Sequence, residues 1–506
     1  MRRHNLLGSE KYTINSDADV LNIDDKFGKS QALRRILRIV WEQAGGPCNV
    51  TVEKEVHCRS FHFEHSSVHG KYFGGCSSNC TRLHFSSQNG GQAASKYLGF
   101  CTLRPRPMCK IAHATIAPPH GDERDVYCLC NHTFLKHCTE NEGATAESIQ
   151  GFPFVQQDGV YDCCAHVALL SMNWVLADAK LAERMSLEDI VNRAREIPST
   201  KREVPSGGLD VIQIAHVIKA MGLAPIVYKY PKAKDGKHIP AEHIIYHYVE
   251  SCLPVLIGIP TGHGGHALLV IGHKFSTHAW WPLVGKHYYK ERPSGHDYYT
   301  STDWIQEFIV SDDNLGPYFS VPSSFFKSQS EHSLLIVAPV PDTTLLKAED
   351  AELAAHNLLL NDELIKTATD AFKEEDSAMF WSKHLWQHFI HREVVIRTFL
   401  LSSQDGKRAF KEGDYPKEIV EEIETLPLPD RVWYTEFSTP GTFAQRRRVL
   451  GRAVLDPTGD PRVFQNPLLV RHVPGIVDSR NVKSDEVHRF LIPDDKPQSH
   501  FVRDKT

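Results

Sequence analysis

One stretch of the chain has residue types and spacing suited to nucleophilic chemistry: Gln156-Gln157-Asp158-Gly159-Val160-Tyr161-Asp162-Cys163-Cys164-Ala165-His166. Attack of a thiol on a carbonyl needs a thiolate of lowered pKa and a base beside it. It also needs a group that orients the base and donors for the oxyanion. A helix N-terminus lowers a cysteine pKa, because its unpaired N–H groups and dipole favour the anion. Here turn residues precede a cysteine that opens the run CAHVALLSMNWVLA, which is apolar nearly all round and therefore predicts a buried helix. The side-chain amide of Gln157 is a candidate oxyanion donor. Farther along, Gly265-His266 opens the apolar run ALLVIG and offers a base, and Ile309-Val310-Ser311-Asp312 ends a strand-like run on an acid.

The adjacent cysteines compete for the nucleophile role. Gln157 stands six positions before Cys163, but the small apolar pattern Val167-Ala168-Leu169 fits better when counted from Cys164, which is preferred. A buried cysteine is more often a small hydrophobe than a nucleophile. The coincidence of glutamine, turn, helix start and a distant Gly-His pair favours catalysis. His166 lies two positions after Cys164, where helical side chains do not face each other, and three after Cys163, where they do. His263 and His273 compete with His266, and Asp313 and Asn314 stand behind Asp312.

The elements that must position these groups are legible. SLEDIVNRAREI carries a capping box, Ser186 with Asp189 three residues on. GLDVIQIAHVIKAMG puts Val211, Ile214, Ala215 and Ile218 on one helical face and stops at Gly222. EHIIYHYVESC reads as a further helix. PVLIGIP, HALLVIGH, EFIVS and SLLIVAPV then read as four strands of a covered sheet. A helix block followed by a strand block is an α+β arrangement.

On these residues the chain resembles the papain-like cysteine peptidase superfamily over roughly residues 150–340, notably the double-glycine leader peptidases and the phytochelatin synthases. Those families place a glutamine shortly before a cysteine that begins the central helix. A glycine-led helix follows (here Gly208-Leu209-Asp210), then a Pro-Val strand (Pro254-Val255), a Gly-His strand (Gly265-His266) and a strand ending in an acid. The resemblance implies a papain-like core in which Cys164 attacks, His266 carries the proton, Asp312 orients the imidazole and Gln157 stabilises the oxyanion. It implies acyl-thioester chemistry on a peptide or isopeptide bond, without a cofactor or catalytic metal. A phytochelatin-synthase type of transpeptidase is the near alternative. A catalytically inactive papain-like module that binds a peptide or protein partner is the alternative from another class. The segment 274–304 is longer than the usual hairpin there, and its Trp280, Trp281, Tyr288, Tyr289, Tyr298 and Tyr299 read as packing onto the core or as a lid.

The rest of the chain bounds the reading. Its 506 residues suffice for several domains, read as a Cys/His-rich β-rich domain over 1–150, the peptidase domain over 151–345 and an α+β domain of unassigned role over 346–506. The net charge of −5 argues against an electrostatic grip on nucleic acid. The N-terminal stretch has no apolar core, so it does not read as a secretory signal, and no apolar run is long enough for a membrane helix. The expectation is a soluble cytoplasmic protein acting on a peptide or protein substrate, its oligomeric state left open by the sequence. All twelve cysteines fall between Cys48 and Cys252, where reduced thiols are expected. Cys76, Cys80, Cys128, Cys130, His132 and Cys138 could ligate zinc, but their irregular spacing predicts none. The histidines between His57 and His69 read as surface residues.

Overall fold

The computed structural model describes residues 10–71, 77–87, 96–106, 110–119, 126–128, 130–136, 147–201, 206–231, 239–262, 264–275, 298–359, 364, 366, 370, 380–391, 394–446, 448–459, 466–482 and 484–501. It mixes helices with mainly antiparallel sheets, so the class is α+β. The chain divides into two compact units. One comprises Met1–Pro231, Cys252–Lys274 and Glu307–Pro341; the other comprises Lys232–Ser251, Phe275–Gln306 and Asp342–Thr506.

This division differs from three consecutive blocks. Residues 1–150 share a unit with the candidate catalytic segments, because their strands run into them. The first sheet has the order Lys11–Ile14, Cys48–Val56, Cys80–Ser87, Tyr97–Leu103, Ile111–Ile116, Pro153–Phe154 and is antiparallel throughout. Its last strand leads straight into the loop before Cys163. Tyr318 ties the far end of the unit to the same sheet, its hydroxyl donating to the Ile116 carbonyl (2.8 Å) and accepting from the Phe152 amide (2.6 Å).

The second sheet of this unit has the order Leu223–Tyr230, Leu334–Pro341, Val255–Thr261, Gly264–Phe275, Ile305–Asp312, Gly316–Pro322. The four apolar runs read as strands are all present. Continuous burial along Val255, Leu256 and Ile257, and along Leu268, Leu269, Val270 and Ile271, explains their unbroken apolar character. Helix starts follow their caps. Ser186 and Asp189 bond reciprocally, and Asp210 does the same with Gln213. Gly222, at φ +84°, takes the left-handed turn after the Val211–Ala220 helix. The Cys164–Asp178 helix is buried along nearly its whole length, as its all-round apolarity requires.

The other unit is built on the sheet Tyr298–Thr300, Val394–Ser402, Arg431–Ser438, Gly451–Leu455, Leu468–Val473, Ile476–Arg480, Val487–Leu491. Its Ala241–Glu250 helix is the one read from EHIIYHYVESC, although the sequence placed it with the peptidase block. Tyr298 and Tyr299, buried, belong to this unit, whereas Trp280, Trp281, Tyr288 and Tyr289 lie outside the described residues. Among the described residues no helix is long and apolar enough to cross a membrane.

Candidate functional site

The loop before the cysteines is built around one carboxylate. Asp158 Oδ1 accepts from the amides of Val160 (2.9 Å), Tyr161 (2.7 Å) and Asp162 (3.0 Å), and Gly159 at φ +76° allows the tight turn. Burial pushes the Asp158 carboxyl up, but these amides and the His69 ring outweigh it and hold it below the usual range. His69 Nε2 meets Asp158 Oδ2 at 2.9 Å, and Arg106 Nη1 reaches His69 at 2.9 Å. His69 is buried rather than on the surface. Beneath the loop, fully buried Arg104 grips Glu64 with two bonds of 2.6 and 2.8 Å and donates to the carbonyls of Ile111 (2.7 Å) and Gln156 (2.9 Å). Gln156 faces inward, its Oε1 accepting from the Ile111 amide, which leaves Gln157 as the glutamine on the cleft.

This network predicts a stability effect. Arg104→Met strands the Glu64 carboxylate and two carbonyls in the interior, a change expected to cost about 3–5 kcal/mol. Denaturant unfolding checks it, and a loss under about 1 kcal/mol would remove the network's structural role.

The helix begins at Cys164, with Cys163 as its N-cap. Cys163 is turned inward: its Sγ lies 3.1 Å from His166 Nδ1, and its amide donates to the same nitrogen at 3.2 Å. That nitrogen therefore faces both the Cys163 amide and the Cys163 thiol, and His166 helps to hold that thiol down. Cys164 is half-buried, and its Sγ accepts the amide of Ala267, the residue after His266, at 3.3 Å. The hydrogen bond between the two sulfurs, with the His166 ring behind it, holds the Cys163 thiol down, and the same bond with burial pushes the Cys164 thiol up, so the pair carries at most one negative charge and at rest it lies on Cys163, with Cys164 keeping its proton.

His266 and Asp312 come from neighbouring strands of the second sheet, and His266 Nε2 meets Asp312 Oδ2 at 2.8 Å. The Asp312 hydrogen bond raises the His266 pKa against the opposing effect of burial. Burial would raise Asp312, but His266 and the amides of Leu315 and Asn314 hold it below the usual carboxylate range. Those amides bond Asp312 Oδ1 at 3.0 and 2.8 Å and fix the carboxylate. With Nε2 engaged, Nδ1 is the ring nitrogen left for a proton exchanged with a thiol. Asn314 thus contributes through its backbone. His263 lies outside the described residues, and His273 is buried farther along the strand.

No protein-family model and no curated protein matches this chain.

Gln157, Cys163, Cys164, His266 and Asp312 line one cleft of about 520 Å³, together with Ser206, Gly207 and Gly208. The four residues singled out from the sequence therefore meet. The supporting His69, Arg104 and Asp158 leave no signal in the sequence, because nothing in local spacing links residues so far apart in the chain. The glycines at 207 and 208 show in the sequence only as a helix lead-in, although they line the cleft.

The sequence offers Asp313 as a substitute for Asp312; the structure gives it a place of its own. Its buried carboxyl has no side-chain hydrogen-bond partner among the described residues, lies 3.8 Å from His266 Nε2 and is raised to about 7 by burial. Above that pH its charge adds to the support of the imidazolium. Asp313→Asn should therefore move the alkaline fall of amide-substrate turnover, where His266 gives its proton to the leaving amine, to lower pH, and by less than Asp312→Asn does. An unchanged profile would show that Asp313 is electrostatically silent.

Among the described residues, two groups bring three metal-type donors within 4.8 Å of one another: His266, Asp312 and Asp313, and Glu64, His69 and Asp158. Arg104 and Arg106 already neutralise the second group. Of the zinc-type candidates, Cys76, Cys138 and the side chain of Cys128 lie outside the described residues. Cys80 is hydrogen-bonded to Cys58, Cys130 is buried, and His132 Nδ1 meets Asp178 at 2.5 Å.

Proposed function

We propose that this protein is a thiol amide hydrolase of the cysteine peptidase kind, with a papain-like core, acting on a peptide or isopeptide bond. The observation that carries the reading is the convergence, in one cleft, of a helix-start thiol and a carboxylate-oriented imidazole. Cys164 Sγ takes the amide beside His266, and Asp312 holds the far nitrogen of that ring. In this reading His266 Nδ1 removes the Cys164 proton and the thiolate attacks the carbonyl carbon. The carbonyl π electrons move to oxygen, which is met by the Gln157 side-chain amide and the Cys164 backbone N–H. The second donor is one of the N–H groups that a helix start leaves without an intrahelical partner. Collapse of the adduct expels the amine with the proton from His266. Water, deprotonated by the same ring, then attacks the thioester and releases the acid and the thiolate.

The test is a mapped alkylation with iodoacetamide at neutral pH, run beside hydrolysis of a peptidyl thioester panel. Cys164 should label before every other cysteine. Labelling no faster than in the denatured chain, with no thioester turnover, would leave the inactive peptide-binding module as the better reading. Transfer of the acyl group to an added amine in preference to water would indicate a transpeptidase.

A further inference from the structure

We propose that Cys163 and Cys164 together form a reversible oxidation site: a small peroxide oxidises Cys163, and Cys164 then closes on it to give a disulfide between adjacent residues that removes the nucleophile. The modification stands on the thiol pair alone; its effect on turnover rests on the thiol hydrolase reading above. Acyl transfer uses one sulfur, and the cleft holds two. Both are free thiols and both line the cleft of about 520 Å³. Cys164 is the one placed against the Ala267 amide beside His266. Cys163 has no part in the attack, the base or the oxyanion donors, yet its sulfur lies 3.1 Å from His166 Nδ1 on one side and is hydrogen-bonded to the Cys164 sulfur on the other.

A peroxide-reactive cysteine needs a thiolate, a path for the oxidant and a second thiol beside it to resolve the sulfenic acid. Cys163 has all three. The bond from Cys164 and the His166 ring hold its charge at rest, the cleft admits a molecule little larger than water, and the next residue keeps a thiol proton. In the first step the Cys163 thiolate attacks one peroxide oxygen, the O–O bond breaks, and a sulfenic acid and hydroxide form. In the second, the Cys164 sulfur attacks the Cys163 sulfur, the S–O bond breaks, and the hydroxyl leaves as water with the Cys164 proton. The two sulfurs are oxidised together by two electrons, and the peroxide is reduced. The product is strained. Adjacent Cα atoms stand about 3.8 Å apart, less than the roughly 4.4 Å at which disulfide spans ordinarily begin. The Cys163 carbonyl is also held by the amides of His166 (3.0 Å) and Val167 (3.3 Å), so the joining peptide does not turn freely. Strained disulfides are the readily reduced ones, which makes the modification reversible by a small thiol.

The experiment treats the reduced full chain with hydrogen peroxide at neutral pH, with and without dimedone to trap sulfenic acid, and maps the digest by mass spectrometry. In the unaltered chain the peptide carrying both cysteines should lose two hydrogens before any other thiol is oxidised. Buried Cys48 and Cys101, whose thiols burial pushes up, serve as internal references. Thioester turnover should fall in step with the disulfide and return with dithiothreitol. Cys164→Ala removes the resolving thiol, so dimedone should add to Cys163. In Cys163→Ala no disulfide can form at the site; peroxide should carry Cys164 on to the sulfinic acid, and dithiothreitol should not restore turnover. A thermal melt of each variant is the folding control. Oxidation of Cys164 without a disulfide in the unaltered chain would overturn the proposal and leave the hydrolase reading standing, as would a folded Cys164→Ala chain whose Cys163 takes no dimedone. A disulfide formed in a chain that turns over no thioester would keep the oxidation site and sink the hydrolase reading. If neither disulfide nor turnover is found, both fail.

Discussion

Cys164→Ala should reduce turnover of a peptidyl thioester by about 10⁶-fold, the scale on which losing a nucleophile leaves only binding and oxyanion contributions. The fold should persist, because alanine is an excellent helix former at a helix start. Cys163→Ala should behave differently. It removes a sulfur from the helix cap and frees His166 Nδ1 to receive only the backbone amide, but it leaves the Cys164–Ala267 contact in place. A loss of about tenfold or less is expected for it, together with a small drop in melting temperature from the altered cap. Steady-state kinetics on both variants, with alkylation mapped by mass spectrometry, decides the matter. If Cys163→Ala is the dead variant and Cys164→Ala the active one, the nucleophile is the buried capping thiol and the cleft geometry has been misread.

His266→Ala should cost nearly as much as losing the thiol, because members of such a unit do not act additively. Asp312→Asn should cost on the order of 10³–10⁴-fold while the fold persists, since the amide can still accept from the Asn314 and Leu315 amides but no longer favours the charged imidazole. The pH profile carries the sharper test. Activity rises as the thiol pair loses its proton and falls as His266 loses the imidazolium proton. Asp312 raises the His266 pKa, so the falling limb lies above the ordinary histidine value of about 6.5. Removing the Asp312 charge lowers that pKa, so the limb must move toward lower pH in Asp312→Asn. Movement toward higher pH, or none, would mean that Asp312 does not orient the base.

Much of this site is legible in the amino-acid sequence because its parts obey local rules. A helix that is apolar all round has nowhere to lie but the interior, so CAHVALLSMNWVLA announced a buried helix with its first cysteine at the N-terminal end. Capping residues marked the helices at Leu187–Arg195 and Val211–Ala220, and unbroken apolar runs marked the strands that carry His266 and Asp312. What local pattern could not decide is which neighbour faces which. Cys163 and Cys164 differ by one position, and only the folded structure shows that both line the cleft, with Cys164 Sγ against the Ala267 amide of the Gly264–Phe275 strand and Cys163 Sγ against His166. Asp312 and Asp313 differ by one position on a strand end, and only the adjoining strand shows which carboxylate meets the imidazole. The domain boundaries were likewise hidden. Strand partners such as Ala114 with Phe154, and the Tyr318 hydroxyl on Ile116, join segments whose link has no periodicity. The positioning network of Glu64, His69, Arg104 and Asp158 is of the same kind. Buried charges tolerate the interior only when paired, and the pairing joins residues up to 94 positions apart, a relation that exists only once the chain has folded.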